Sequence, residues 1–270
     1  MPADENETQQ VLALARRLAR EAGAIQRERY EADHQIDTKS AAVDLVTEVD
    51  HACEELVVSA LERERPKDAI LAEEGRGSDH PGARWRWIID PLDGTTNYAH
   101  SYPRFCVSLG VACAGSPQVG VVYDPLLDEL YHATAGGGAY RNDRPIRVSP
   151  EARLDRSLLA TGFAYDRRQS EEDNVAEFAT FLRQARALRR DGSAALDLCY
   201  VACGRLDGYW EFKLQPWDVA AGALIVTEAG GRISDLDGGD GYRTGEQVVT
   251  SNGAIHDAMI AVLREHREGS

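Results

Sequence analysis

The chain has 270 residues, 43% hydrophobic and 28% charged, which suits one large globular unit able to bury a sizeable core. A net charge of −15 offers no basic surface from which counterions could be released, and so speaks against nucleic acid as a direct partner. No apolar run approaches the ~18 residues of a membrane helix, and the acidic start Met1-Pro2-Ala3-Asp4-Glu5 lacks the regions of a signal peptide. A cytoplasmic protein without membrane contact is expected.

In chain order, residues 9–28 place Val11, Leu14, Leu18, Ala22 and Ile25 at helical spacing. A second helix is expected at Thr47, where Thr47-Glu48-Val49-Asp50 has capping-box spacing, and it should stop before Pro66. The run Ala69-Ile70-Leu71-Ala72 then delivers Glu73 and Glu74 at a strand end. Beyond Trp87 the short runs 108–114, 118–123 and 129–133 read as an antiparallel meander. Gly136-Gly137-Gly138 opens no helix and reads as a hairpin or bulge.

The second half alternates strands at 158–163, 208–212, 232–236 and 248–250 with helices at 171–186, 193–203, 219–229 and 255–264. No linker or repeat interrupts it. The expectation is a single domain over 1–270, softly divided into an α+β half, 1–150, and a mixed α/β half, 151–270, with a mobile tail from Glu265.

The segment Trp87-Ile88-Ile89-Asp90-Pro91-Leu92-Asp93-Gly94-Thr95-Thr96-Asn97 carries the chemistry. An apolar strand delivers Asp90, and Asp93 follows three residues later. Pro91 fixes one backbone angle and Gly94 relaxes another, so a sharp turn can aim both acids at one point. Thr95 and Thr96 add hydroxyls and N–H groups at a helix start, where anions are favoured. Two hard oxygen ligands beside an anion cradle suggest a metal-assisted phosphate site. A strand ending in an ordinary capped turn is the plain alternative.

The remaining groups narrow the chemistry. Five cysteines form no C-x-x-C pair, and the seven histidines are scattered, which disfavours a zinc centre or a disulfide framework. Asp218 follows Pro216-Trp217 before an apolar run and could be a simple N-cap, while Glu74 could be a loop charge.

Several separated motifs resemble the inositol monophosphatase family. They are Asp90-Pro91-Leu92-Asp93-Gly94-Thr95-Thr96, Trp217-Asp218-Val219-Ala220-Ala221-Gly222, Asp44-Leu45-Val46-Thr47-Glu48-Val49-Asp50, Glu73-Glu74-Gly75 and Gly192-Ser193-Ala194-Ala195. Gly204-Arg205-Leu206-Asp207-Gly208-Tyr209 resembles the bacterial-type members, and the likeness runs from about residue 10 to 260.

The resemblance implies an α/β fold, the layered αβαβα sandwich of the inositol monophosphatase and fructose-1,6-bisphosphatase type, and a homodimer. It implies that Glu73, Asp90, Asp93, Asp218 and the Leu92 carbonyl hold two or three magnesium ions, with manganese as a substitute. Glu73 and Thr95 would orient the attacking water, with Asp50 supporting Thr95. Backbone at Gly94 and Thr95 would hold phosphate. Gly192, Ser193, Ala194 and Glu211, with Asp93 and Asp218, would meet a small phosphorylated polyol, and lithium would inhibit. Ser193 replaces the family's usual threonine, and Lys39 matches a lysine near the site.

Energetics agree with a cation site. Two carboxylates about 4 Å apart repel by ~4 kcal/mol at an effective dielectric near 20. All-oxygen ligands favour magnesium or manganese over zinc. The expected reaction is hydrolysis of inositol monophosphate without a phosphoenzyme.

Three alternatives stand beside it. An aspartyl-phosphate phosphatase would space its acids as D-x-D near the N-terminus, which this chain does not. Fructose-1,6-bisphosphatase or histidinol phosphatase activity is the second, although Thr96 stands where histidinol phosphatases often carry arginine. A regulatory binding protein on the same scaffold is the third, and retention of every expected carboxylate argues against it.

Overall fold

Asp4 caps the first helix by accepting the Asn6 backbone N–H at 3.0 Å, and α1 runs over Glu5–Arg29 with acids in its first turn and arginines in its last. The computed structural model describes residues 4–32, 34–39 and 44–266. Met1–Ala3 of the expected signal-free start, and the expected tail from residue 267 on, lie outside them. A short hairpin, β1 (Ile36–Thr38) with β2 (Leu45–Thr47), leads into α2 (Glu48–Glu64), whose capping box forms as its sequence implies. No described helix is long and apolar enough to cross a membrane.

Two sheets follow. The first has seven strands in sequence order: β3 (Ala69–Ala72), β4 (Trp85–Asp93), β5 (Cys106–Cys113), β6 (Ser116–Asp124), β7 (Glu129–Thr134), β8 (Gly138–Arg141) and β9 (Arg144–Pro145). Only β3 and β4 pair in parallel; the rest is the expected meander. A five-residue helix, α3 (Thr95–Ala99), follows β4. The second sheet takes β10 (Leu158–Thr161), β11 (Ala187–Arg189), β12 (Gly208–Phe212), β13 (Arg232–Ser234) and β14 (Gln247–Ser251) in the order β11-β10-β12-β14-β13.

The helices fill the layers. α1 and α2 cover one face of the first sheet, burying Leu18, Val57 and Leu61 against Trp87, Leu109 and Val121. Between the sheets lie α5 (Ala194–Ala202) and α6 (Pro216–Glu228), with Leu198, Ile225 and Tyr209 in one cluster. On the outer face, α4 (Val175–Gln184) and α7 (His256–Glu265) bury Phe181 and Met259 against Trp210. The result is the five-layer αβαβα arrangement that the resemblance implies.

The helix expected over 171–186 is shorter, Val175–Gln184, and β11 begins just beyond the expected end, at Ala187. Asn174 stops it from starting earlier. Its backbone is left-handed, φ 67°, and its buried amide donates to the Gly162 carbonyl at 2.7 Å while accepting Trp210 Nε1 at 2.7 Å. A local helical pattern cannot register that tertiary anchor.

Small residues bring α6 onto the first sheet. A Cβ at Gly120 would lie 2.5 Å from the Ala221 carbonyl oxygen, and one at Gly110 would lie 2.6 Å from Ala220 Cβ. Both strands therefore need glycine for the helix backbone to approach, and that approach sets the position of Asp218 near the helix start. Gly120→Ala should cost about 1–3 kcal/mol through overpacking. Urea denaturation checks this, and an unchanged midpoint would contradict the close-approach account.

Candidate active site

Asp90 and Asp93 stand at the end of β4, where pairing with β5 shifts register. The break is stabilised from two sides. Asp90 Oδ1 accepts the Leu92 N–H at 2.9 Å, and Gln26, buried on α1, donates from Nε2 to the Pro91 carbonyl at 2.8 Å. Gly94 then turns the chain with φ 101°, where a Cβ would lie 2.8 Å from the Arg104 carbonyl oxygen. The two acids thus leave one strand end with the direction that the sequence suggests.

Asp218 enters from the first turn of α6. It is the N3 member of a capping box rather than the N-cap, since its Oδ2 accepts the Gln215 N–H at 2.7 Å. Its other oxygen stays available. Ligand oxygens of Asp90, Asp93 and Asp218 all lie within 4.8 Å of one another. This all-oxygen, like-charged set, with Asp90 and Asp93 buried and Asp218 half-buried, fits a hard divalent cation. Glu73, after β3, stands beside this group: its carboxyl contacts Asp90, and Lys39 Nζ donates to its Oε1 at 2.8 Å. Lys39 also bonds Glu74, so it is tied to the site rather than solvated in a loop.

Burial dominates the electrostatics. It pushes the carboxyl of Asp90 well above the carboxylate range, with the charges of Glu73, Asp93 and Asp218 adding to the effect. Asp218 is raised by the same causes. Burial lifts Glu73 to about 7 against the opposing charge of Lys39. Asp93 is raised less simply, because hydrogen bonds from Ser193 and Ala195 favour its ionised form.

Asp50 serves two elements with separate oxygens. Oδ2 accepts the Thr47 N–H at 2.9 Å and its hydroxyl at 2.5 Å, closing the capping box; Oδ1 accepts the Thr95 hydroxyl at 2.8 Å. Asp93 spans the two halves of the chain. Its Oδ2 accepts Ser193 Oγ at 2.6 Å and the Ala195 N–H at 2.8 Å, and its Oδ1 accepts the Ala194 N–H at 3.3 Å. Ser193 has therefore committed its hydrogen to Asp93 and offers a substrate only lone pairs.

A cleft of about 400 Å³ opens over these groups and is lined by Glu73, Asp93, Gly94, Gly192, Ala194, Glu211 and Asp218 among others. Leu92 is buried beneath, with its backbone carbonyl 3.1 Å from Thr95 Oγ1. Glu211 on β12 faces Gly162, whose missing side chain leaves room for the carboxyl. Burial pushes Glu211 to about 7, and Tyr209 donates to its Oε2 at 2.5 Å.

Some supporting residues escape a sequence reading. Asn97 Nδ2 lies 2.8 Å from the Asp191 carbonyl and 2.7 Å from that of Arg104, fixing the approach to Gly192. Arg104 bonds Asp197 at 3.0 Å across 93 residues and stacks over Tyr200 at 3.9 Å. Glu54 on α2 accepts the N–H groups of Glu74 and Arg76 at 2.7 and 2.9 Å, shaping the loop after Glu73. Asn97 lies inside the opening motif, but nothing local marks the other two.

Comparison with known proteins agrees with this geometry. A model of the inositol monophosphatase family matches residues 7–268. Inositol-1-monophosphatase of Synechocystis sp. is 48% identical over 229 residues, 85% of this chain and 80% of that protein. The Escherichia coli K12 protein named Nus factor SuhB is 40% identical over 256 residues, 94% of this chain and 96% of that one. A solved inositol monophosphatase structure from Anabaena (Nostoc) sp. PCC 7120 superposes with a TM-score of 0.86 at 45% identity, covering 95% and 96% of the two chains. With the family's acidic motifs converging in one buried cleft of the family's fold, the chain belongs to the inositol monophosphatase family and is a phosphatase.

Proposed function

We propose that this phosphatase hydrolyses inositol monophosphate to inositol and phosphate with magnesium and an activated water, forming no phosphoenzyme. The observation that carries the reading is the convergence of Asp90, Asp93 and Asp218 within 4.8 Å. These acids, with Glu73 and the Leu92 carbonyl, would hold two or three magnesium ions, with manganese as a substitute. Magnesium bound there lowers the pKa of a water and neutralises charge developing on the departing ester oxygen.

The chain's own groups have separable tasks. Thr95 sends its hydroxyl hydrogen toward Asp50 at 2.8 Å, so its lone pairs are left to accept a hydrogen bond from the attacking water. Glu73, held by Lys39, orients the same water. Gly94 and Thr95 N–H groups bind phosphate oxygens. Glu211, Ser193 and the backbone at Gly192 and Ala194 receive ring hydroxyls, Glu211 and Ser193 as acceptors. The protein acts as a cytoplasmic homodimer in this reading.

The likeness to the Escherichia coli Nus factor SuhB favours a second role, binding of a regulatory partner on the same scaffold. The two roles are compatible, because a partner surface does not require the cleft.

Chelation should abolish turnover and magnesium should restore it, with calcium a poor substitute because of its looser coordination. Lithium should inhibit. Full activity of the chelated protein in a phosphate-release assay would sink the proposal.

Asp90→Asn keeps the acceptor for the Leu92 N–H and removes one charge, so kcat should fall by several powers of ten on every ester. Glu211→Gln should instead weaken inositol 1-phosphate hydrolysis by about one or two powers of ten and spare p-nitrophenyl phosphate. Glu211 accepts hydroxyls best when ionised, so the KM for inositol 1-phosphate should fall as pH rises through about 7, and Glu211→Gln should flatten that profile. Equal losses on both esters would return Glu211 to the structural scaffold.

A further inference from the structure

The segment after β10 crosses one rim of the cleft and carries Tyr165. Its path is fixed at two points. Asn174 anchors its start at the Gly162 carbonyl, 2.7 Å, and at Thr161 Oγ1, 2.9 Å. Farther along, Lys213 reaches over from the end of β12 and donates to Asp166 Oδ2 at 2.7 Å and Ser170 Oγ at 2.8 Å.

Lys213 makes this reach from a left-handed backbone, φ 60°, a conformation that a non-glycine residue keeps only where its surroundings over-determine it. Its N–H donates to the Glu246 carbonyl at 2.9 Å and the Leu214 N–H to the Gly245 carbonyl at 3.0 Å, which hold the turn. A strained lysine two residues beyond Glu211, with its cation tied to the opposite rim, works as a latch between the two walls of the cleft.

Tyr165 sits on the latched segment. The residue is 49% exposed and lines the cleft together with Asp44, Glu73, Asp93 and Asp218. A phenol is protonated at neutral pH, so the hydroxyl is able to donate. Among the described residues it has no hydrogen-bond partner. A neutral donor without an acceptor, at the mouth of a cleft lined by acceptors, suits a ligand that brings hydroxyl oxygens.

We infer that Tyr165 is a specificity-determining residue that donates a hydrogen bond to a hydroxyl of the substrate's polyol moiety, and that Lys213 is the positioning residue holding it over the cleft. The inference rests on the polyol-phosphate reading above. Phosphate itself is served by the groups at Gly94 and Thr95, so the contact discriminates among esters rather than driving the chemistry.

Tyr165→Phe removes the hydroxyl and keeps the ring. The KM for inositol 1-phosphate should rise about tenfold with kcat nearly preserved, while p-nitrophenyl phosphate kinetics stay unchanged. Lys213→Gly relaxes the left-handed backbone and cuts the latch. It should raise the same KM several-fold without lowering the thermal midpoint, and the double variant should be no worse than Tyr165→Phe alone. An unchanged KM in Tyr165→Phe, or equal losses on both esters, overturns the role of Tyr165; additive losses in the double variant overturn that of Lys213. A wild type that hydrolyses the aryl ester but no polyol phosphate overturns the polyol reading and this inference with it. A wild type active on polyol phosphates but indifferent to Tyr165→Phe overturns this inference alone.

Discussion

Like charges converging in a poorly hydrated space set the terms for the whole protein. Asp90, Asp93 and Asp218 lie within 4.8 Å of one another, and burial raises all three carboxyls above their ordinary range. A raised carboxyl contributes stability below its unfolded pKa and loses it as pH rises through the folded value. The cluster therefore opposes folding in neutral and alkaline solution until protons or cations compensate it. Such opposition is sustainable only where the surrounding layers hold the backbone firmly.

The scaffold does so by giving each acid a second task. Asp90 closes a turn onto Leu92, Asp93 ties the first sheet to the start of α5, and Asp218 completes the capping box of α6. Asp50 divides its oxygens between the α2 cap and Thr95. Each bond fixes the orientation of its carboxylate. Glycines at 110 and 120 then let α6 settle on the sheet closely enough to bring Asp218 within range. Site geometry is thus a product of the layer packing, and a change in the core reaches the chemistry through α6.

Much of this was readable in the chain. The capping box at Thr47, the meander after Trp87, and the paired acids around Pro91 follow from local spacing, and they fold as their spacing implies. Local reasoning fails where a distant residue decides. Asn174 halts a helix through bonds to Gly162 and Trp210, and Gln26 supports the Asp90 turn from 65 residues away. Arg104 meets Asp197 only because two layers face each other. Ser193 is expected to meet the polyol, but in the fold its hydrogen belongs to Asp93. A lysine at φ 60° gives no local sign at all.

The central claim is that the three acids are held together against their own repulsion and are relieved by a divalent cation. Thermal unfolding of wild type and Asp90→Asn at pH 8, each with chelator and with saturating magnesium, tests it most directly. The account predicts that Asp90→Asn melts above wild type in chelator, since one repelling charge is gone while the Leu92 bond survives. It also predicts that magnesium raises the wild-type midpoint by several degrees and that of the variant much less. A variant that melts below wild type in chelator, or that gains as much from magnesium, would contradict it.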